Sequence, residues 1–199
     1  MSAAPLTSWP EIRQWRKGQR EALLRARVDA GAEKRKGWNA AIEPQLRQIV
    51  SERRPASVGF YWPFKGEFDP RPLARELVAG GTAMALPTVV QPKTPLEFRR
   101  WTPGIEMEIG VYNIPFPKAR DVLMPELLLV PLVGFDGAGF RLGYGGGYYD
   151  RTIASYPARP YALGIGYELS RLETIYPQAH DLAMDVIVTE IGLWRRPAR

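Results

Sequence analysis

"ELLLVPLVGF" (126–135) is apolar on both faces from its second residue onward. A strand with one wet face alternates, whereas a strand covered by helices on both sides does not need to. The run therefore predicts a central strand of a mostly parallel sheet. Upstream, "SVGFYW" (57–62) is a short β-rich run. "DPRPLARELVAGG" (69–81) offers an aspartate cap, a proline at the first helical position and a glycine pair as a stop, and "TAMALP" (82–87) reads as a second strand. Strand, helix and strand within residues 57–87 make a βαβ unit and hence a parallel pair.

Further out, Ser8 before Trp9, Pro10 and Glu11 opens a helix that runs to about Val28. Asp29 can cap a second helix carrying Trp38, Ile42, Leu46 and Ile49 or Val50 as one apolar stripe, so two basic helices are expected over 8–52. "LEFRRW" (96–101) alternates like an edge strand. Residues 102–125 hold four prolines without a clear period and read as a long surface loop of the kind that binds something. A short helix near 147–156, a strand at "YALGIGYE" (161–168) and a last strand at "DVIVTE" (185–190) complete the chain. No internal repeat is evident. The prediction is one α/β domain over residues 1–199, three layers α/β/α around an open, mostly parallel sheet.

Composition narrows the chemistry. A chain of 199 residues that is 45% apolar can close one sizeable core. No apolar run approaches the roughly 18 residues that a membrane-spanning helix needs, and no secretory signal is read at the N-terminus, so a soluble, cytoplasmic protein is expected. The absence of cysteine excludes disulfides and thiolate metal sites, and with His180 as the lone histidine a two-histidine zinc site or a histidine relay is hard to build. The net charge is +6, and residues 1–54 hold twelve Lys/Arg against six acids, an excess equal to that of the whole chain. An anionic partner there competes with a solvated basic helix face.

"RLGYGGGYYDR" (141–151) carries glycine at 143, 145, 146 and 147, directly after the apolar run and before a helix. Open α/β sheets place ligands at the carboxyl ends of their strands. Glycines there let main-chain amides approach phosphate oxygens, aided by the positive end of the next helix. A glycine turn without a ligand is the competing reading. G-x-G-x-x-G fails because Tyr148 stands where glycine is required, and G-x4-G-K-[ST] has no match. Asp150, in the first turn, either complements the helix dipole or holds Mg²⁺ beside phosphates. Arg141 and Arg151 are phosphate clamps or surface cations. Arg16 and Arg20, four apart, share a helix face. Facing each other alone they cost about 0.2–0.5 kcal/mol, whereas an anion at 4 Å gains about 1 kcal/mol in water and about 4 at a dielectric of 20.

Taken together, "LLLVPLVGFDGAGFRLGYGGGYYDR" (127–151) resembles the signature of the 5-formyltetrahydrofolate cyclo-ligase family, the methenyltetrahydrofolate synthetases. Arg16 and Arg20 resemble its N-terminal basic pair and Glu67 in "KGEFD" its substrate-site glutamate. "YNIP" (112–115) resembles an aromatic-N-I-P segment, and Asp181 with "DVIVTE" a second metal carboxylate and closing strand. Three positions depart from the pattern: Arg16 stands where lysine is common, Tyr112 where some members have tryptophan, and Thr88 where a basic residue is frequent.

The resemblance implies ATP-driven closure of 5-formyltetrahydrofolate to 5,10-methenyltetrahydrofolate, in which the formyl oxygen is phosphorylated and N10 then displaces phosphate. It implies that Gly143, Gly145, Gly146 and Gly147, with Arg16, Arg20, Arg141, Tyr148 and Tyr149, hold ATP, and that Asp150 and Asp181 hold Mg²⁺. Trp62, Tyr112, Tyr144 and Tyr148 would wall the folate against Gly145, Gly146 and Gly147, although each aromatic has a packing alternative. Glu67, Arg141 and Tyr149 are the candidate catalytic groups, Glu67 as pterin acceptor or handler of the N10 proton, against a bland role as a solvated residue before the next helix. His180 reads as a surface residue beside Asp181. The expected partner is the folate, with or without a polyglutamate tail, bound by a monomer without nucleic acid or membrane. A relative that binds without turnover, and a basic nucleic-acid-binding protein using Trp9, Trp15 and Trp38, are the alternatives.

Overall fold

The computed structural model describes residues 6–195. The elements are α1 (Trp9–Asp29), α2 (Ala32–Arg53), β1 (Ser57–Gly59), α3 (Arg71–Ala79), β2 (Ala83–Thr88), β3 (Glu97–Trp101), β4 (Met107–Ile109), β5 (Pro115–Pro117), β6 (Val122–Leu123), β7 (Leu127–Pro131), β8 (Gly134–Asp136), β9 (Arg141–Leu142), α4 (Tyr148–Ser155), β10 (Tyr161–Ile165), β11 (Arg171–Leu172), β12 (Val186–Thr189) and β13 (Gly192–Arg195). Ser8 and Glu11 close a reciprocal capping box on α1, with Pro10 in the first turn, as the residue types require. Asp29 caps nothing, because it is the last residue of α1; α2 starts from Gly31, whose φ of 80° turns the chain between the helices. At α3 the Asp69 carboxylate accepts from the Arg71 amide at 3.0 Å, and Gly80 and Gly81 end the helix.

Eight strands form the main sheet in the order β13-β12-β10-β7-β1-β2-β3-β6. The five inner strands from β12 to β2 are parallel, and both flanks are antiparallel. β7 lies at the centre with Leu127, Leu128, Leu129 and Val130 all buried. Leu127 and Leu129 join Val58, Leu163 and Val186 under Ile42, Leu46 and Ile49 of α2 and Leu73 of α3. Leu128 and Val130 face the other way, onto Ala162, Ile187, Phe98 and Ile153 of α4. This two-sided burial is what the unbroken apolar run signals, and truncating a β7 leucine to alanine costs roughly 2–5 kcal/mol.

Four boundaries differ from the sequence reading. The 126–135 run is two strands, since the chain leaves the main sheet at Pro131, which has no amide to donate, and Gly134–Asp136 enters a separate three-stranded sheet β11-β8-β9. β3 is not an edge, because β6 pairs outside it, Phe98 opposite Leu123. Residues 102–125 are not bare loop: β4 and β5 form a two-stranded ribbon that leans on β2 and β3. The prolines that hid it occupy β5, where a short ribbon tolerates missing donors. β12 is followed by β13, so "DVIVTE" is not the last strand. The final four residues of "WRRPAR" lie outside the described residues.

Chain order reverses between β1 and β7, with β2 and β3 laid to one side and β10 and β12 to the other. Ligands of open α/β sheets lie outside the carboxyl ends of the strands at such a switch point. The segments that leave β1 and β7 carry Tyr61 to Glu67 and the glycine stretch. Among the described residues no helix is long and apolar enough to cross a membrane.

Candidate active site

Two cavities open at this switch point. The first, about 340 Å³, is mostly apolar and is lined by Tyr61, Trp62, Glu67, Thr88, Tyr112 and Tyr149, among others. The second, about 480 Å³, is lined by Arg13, Arg16, Arg20, Arg141 and Arg151 against Asp150 and Asp181. Arg141, Gly143, Gly146 and Gly147 belong to both walls. A ligand in each cavity would meet the other across this strip of glycine backbone and one arginine.

Backbone geometry explains the glycines. Gly145 has φ 97° and Gly147, the cap of α4, has φ 62°, a region that costs a side chain about 1–2 kcal/mol. Arg20 Nε donates to the Gly143 carbonyl at 2.7 Å and Arg151 donates to the Gly146 carbonyl. With those carbonyls held, the amides of Gly145, Gly146 and Gly147 have no acceptor among the described residues. Successive unpartnered amides beside a helix start form an anion-binding concavity.

The charged groups are arranged around it. Arg141 Nη2 donates to Asp150 Oδ2 at 2.9 Å, and the Leu182 amide donates to Asp150 Oδ1 at 3.1 Å. Arg16 donates to the carbonyls of Ile175 and Tyr176, both at 2.9 Å, and to Asp181 Oδ2 at 2.5 Å, which also accepts from the Gln178 amide at 2.7 Å. Every nitrogen of Arg16 is thus engaged, so it buttresses Asp181 more than it reaches outward. Burial, and after it the charge of Arg16, lower the pKa of Arg20 while Asp181 opposes them, and a bound anion would favour its charged form. Five arginines against two aspartates suit a polyphosphate. Two carboxylates suit a Mg²⁺ ion that keeps waters and phosphate oxygens as its remaining ligands, and no cluster of three or more His, Asp or Glu exists among the described residues to build an all-protein cage.

In the apolar cavity, Tyr61 Oη, Thr88 Oγ1, Tyr149 Oη and Arg141 Nε are buried without a hydrogen-bond partner among the described residues. Buried polar atoms are almost always paired, so four orphans lining one cavity mark where a polar ligand docks. Glu67 is nearly enclosed: Tyr144 Oη donates to Oε1 at 2.6 Å and the Phe64 amide to Oε2 at 2.8 Å. Burial raises its pKa, against the Arg27 charge and these two donors. The hydroxyls of Tyr61 and Tyr149 are pushed up by burial and then by the Glu67 charge, so both remain protonated donors.

Every candidate from the sequence lines one of the two cavities. Trp62 lies under the Arg71 guanidinium, 4.7 Å from its ring centre, and packs on the core as well. Tyr112 stands at the tip of the β4–β5 ribbon with φ 61° and is 68% exposed. Tyr148 carries Arg151 over its ring. His180 keeps a side chain 68% exposed, 3.9 Å from Asp181, in line with the surface reading. Trp9, Trp15 and Trp38 have His180, Tyr176 and Tyr167 as ring partners. Tyr61, Arg27 and Phe64 were missed, and Thr88 entered only as a departure. Tyr61 lies just past Gly59 and Thr88 closes β2, both at carboxyl ends of parallel strands, so the strand-end rule would have found them.

The fold and the joined cavities define an α/β protein in which an arginine-rich cavity and a largely apolar cavity share one wall. The chain belongs to the 5-formyltetrahydrofolate cyclo-ligase family, whose family model matches residues 12–190. It is 33% identical over 148 residues to the 5-formyltetrahydrofolate cyclo-ligase of Escherichia coli, covering 69% of this chain and 80% of that one. The enzyme of the same name from Haemophilus influenzae is 27% identical over 184 residues, covering 88% and 98%. Among solved structures, the 5,10-methenyltetrahydrofolate synthetase of Aquifex aeolicus superposes with a TM-score of 0.79 at 28% identity, covering 92% of this chain and 94% of that one.

Proposed function

We propose that this chain catalyses the ATP-dependent cyclisation of 5-formyltetrahydrofolate to 5,10-methenyltetrahydrofolate with release of ADP and phosphate. The observation that carries the reading is the shared wall: the arginine-rich cavity and the apolar cavity meet at Arg141, Gly143, Gly146 and Gly147. A formamide oxygen is a poor leaving group, and transfer of a phosphoryl group to it needs two substrates held in line with their charge neutralised more than it needs a side-chain nucleophile.

On this reading Gly145, Gly146, Gly147, Arg20 and Arg151 hold the phosphates. Asp150 and Asp181 would hold Mg²⁺, which would supply charge neutralisation for the phosphates. Trp62, Tyr112, Tyr144 and Tyr148 wall the pterin and aminobenzoate rings, and Tyr61, Thr88 and Tyr149 offer hydroxyls to their polar edges. Arg141, with Nε unpartnered, faces the oxygen that gains charge. Glu67 accepts from the pterin or takes the N10 proton as the ring closes. The glutamate tail, single or extended, leaves by the open side of the apolar cavity, and the enzyme acts as a cytoplasmic monomer. Purified protein with Mg-ATP and 5-formyltetrahydrofolate is expected to build the near-ultraviolet band of the methenyl product. A band that does not depend on ATP, or no band, overturns the reading.

A further inference from the structure

Arg27 is one of three buried arginines among the described residues, and it lines neither cavity. It stands on α1 seven residues beyond Arg20, roughly two helical turns. Its Nε donates to the Lys65 carbonyl and its Nη1 to the Leu132 carbonyl, both at 3.0 Å. Those two bonds staple the segment after β1 to the segment after β7, and a purely structural arginine would need no more. The third arm, Nη2, donates to the Tyr144 hydroxyl at 2.8 Å and lies 3.9 Å from Glu67 Oε1.

Direction is the informative part. A guanidinium has no acceptor, so the Tyr144 oxygen must accept from Arg27, and its single proton is then committed to Glu67 Oε1. The Phe64 amide commits Oε2 in the same sense. Both carboxylate oxygens receive a donor, which is the pattern of the ionised form. A buried carboxylate without a nearby cation would instead take up a proton. The other titratable groups around Glu67 are Tyr61 beyond β1, Tyr149 on α4 and Tyr167 beyond β10, all uncharged, with Arg35 of α2 packed on Gly66 and donating to the Arg27 and Val28 carbonyls, and Lys65 turned onto the Phe64 ring.

We propose that Arg27 is a positioning residue: by fixing the Tyr144 hydroxyl and placing its charge behind Glu67, it keeps that carboxylate ionised and aimed into the apolar cavity. The proposal deepens the cyclo-ligase reading, on which it rests for the use made of Glu67, but the electrostatic relation is measurable without turnover.

The test is a carbon-13 titration of the glutamate side-chain carboxyls, with the Glu67 resonance assigned by its loss in Glu67→Gln. In Arg27→Met the Glu67 midpoint is expected to rise by roughly one to three pH units. Arg27→Lys, which keeps the cation, should undo most of that rise, and Tyr144→Phe, which keeps the cation but removes the intervening hydroxyl, should give a smaller rise. The acid limb of kcat should move with the NMR midpoint across the three variants. If Arg27→Met does not fold, Tyr144→Phe carries the comparison, with Arg27→Lys as the control that keeps the cation. A midpoint in Arg27→Met or in Tyr144→Phe equal to that of the wild type overturns the proposal. A moved midpoint in a protein that makes no methenylfolate leaves the Arg27 relation standing and removes the catalytic reading instead.

Discussion

Arg16 and Asp181 form a buried ion pair, with side chains 6% and 10% exposed and Nη2 of the first 2.5 Å from Oδ2 of the second. Removing one member of such a pair leaves an uncompensated charge, at a cost of about 3–5 kcal/mol. Asp181→Ala is therefore expected to unfold at markedly lower denaturant, and its loss of activity would mix collapse of the site with loss of a metal ligand. Arg16→Met combined with Asp181→Leu should recover much of the stability and none of the activity. Urea unfolding of the single and double variants checks this, and an Asp181→Ala protein as stable as the wild type would show that the pair holds nothing.

Asp150 separates the two effects better. It is partly exposed and is also held by the Leu182 amide, and Asp150→Asn keeps that acceptor while giving up the charge. Because Asp150 also pairs with the buried Arg141, giving up the charge costs some stability; the expected outcome is a melt lowered less than that of Asp181→Ala, with a raised Mg²⁺ requirement and slower turnover. A magnesium titration of the initial rate that superposes on the wild type would remove the metal assignment.

Tyr61→Phe and Thr88→Val delete hydroxyls that have no partner among the described residues. Deleting a buried unsatisfied polar group is neutral or stabilising for the free protein. If the hydroxyls bind the folate, each deletion costs roughly 0.5–1.5 kcal/mol of affinity, about 2- to 12-fold in Kd by the rule that 1.4 kcal/mol is tenfold. Equilibrium binding of 5-formyltetrahydrofolate, alongside thermal melts, reads both halves. Unchanged affinity would return these residues to the core.

The sheet and the glycine strip were legible because their signals are local. Two-sided burial of β7 shows as consecutive apolar residues, and the left-handed backbone at Gly145 and Gly147 shows as glycine. The β4–β5 ribbon was not legible, since Pro115 and Pro117 erase the β signal and its stability comes from leaning on β2 and β3. Arg27 was illegible for a different reason. Its partners Lys65, Leu132 and Tyr144 are distant in sequence, so on the helix it looks like one more basic residue. Of the twelve basic residues among the first 54, Arg16 and Arg27 are buried and Arg20 and Arg35 half-buried, while the other eight are exposed; neither charge counts nor helical period can tell the two groups apart.

Glu67 gives stability a pH dependence whose sign follows from its surroundings. Burial raises its pKa above the ordinary 4.5, although the Arg27 charge, the Tyr144 hydroxyl and the Phe64 amide all pull it down. Between 4.5 and the raised value, the unfolded chain has released this proton while the folded chain still holds it. The folded state then binds more protons, so stability falls as pH rises through the window. The contribution is complete below about pH 4.5 and lost above the folded pKa. Glu67→Gln has no such proton, whatever its constant cost from the altered contact with the Phe64 amide. The difference in Tm, variant minus wild type, is therefore expected to grow with pH across the window and then level off. A difference that stays flat from acid to neutral pH would mean that Glu67 ionises as readily in the folded protein as in the unfolded chain, and that its enclosure by Tyr144 and Phe64 costs it nothing.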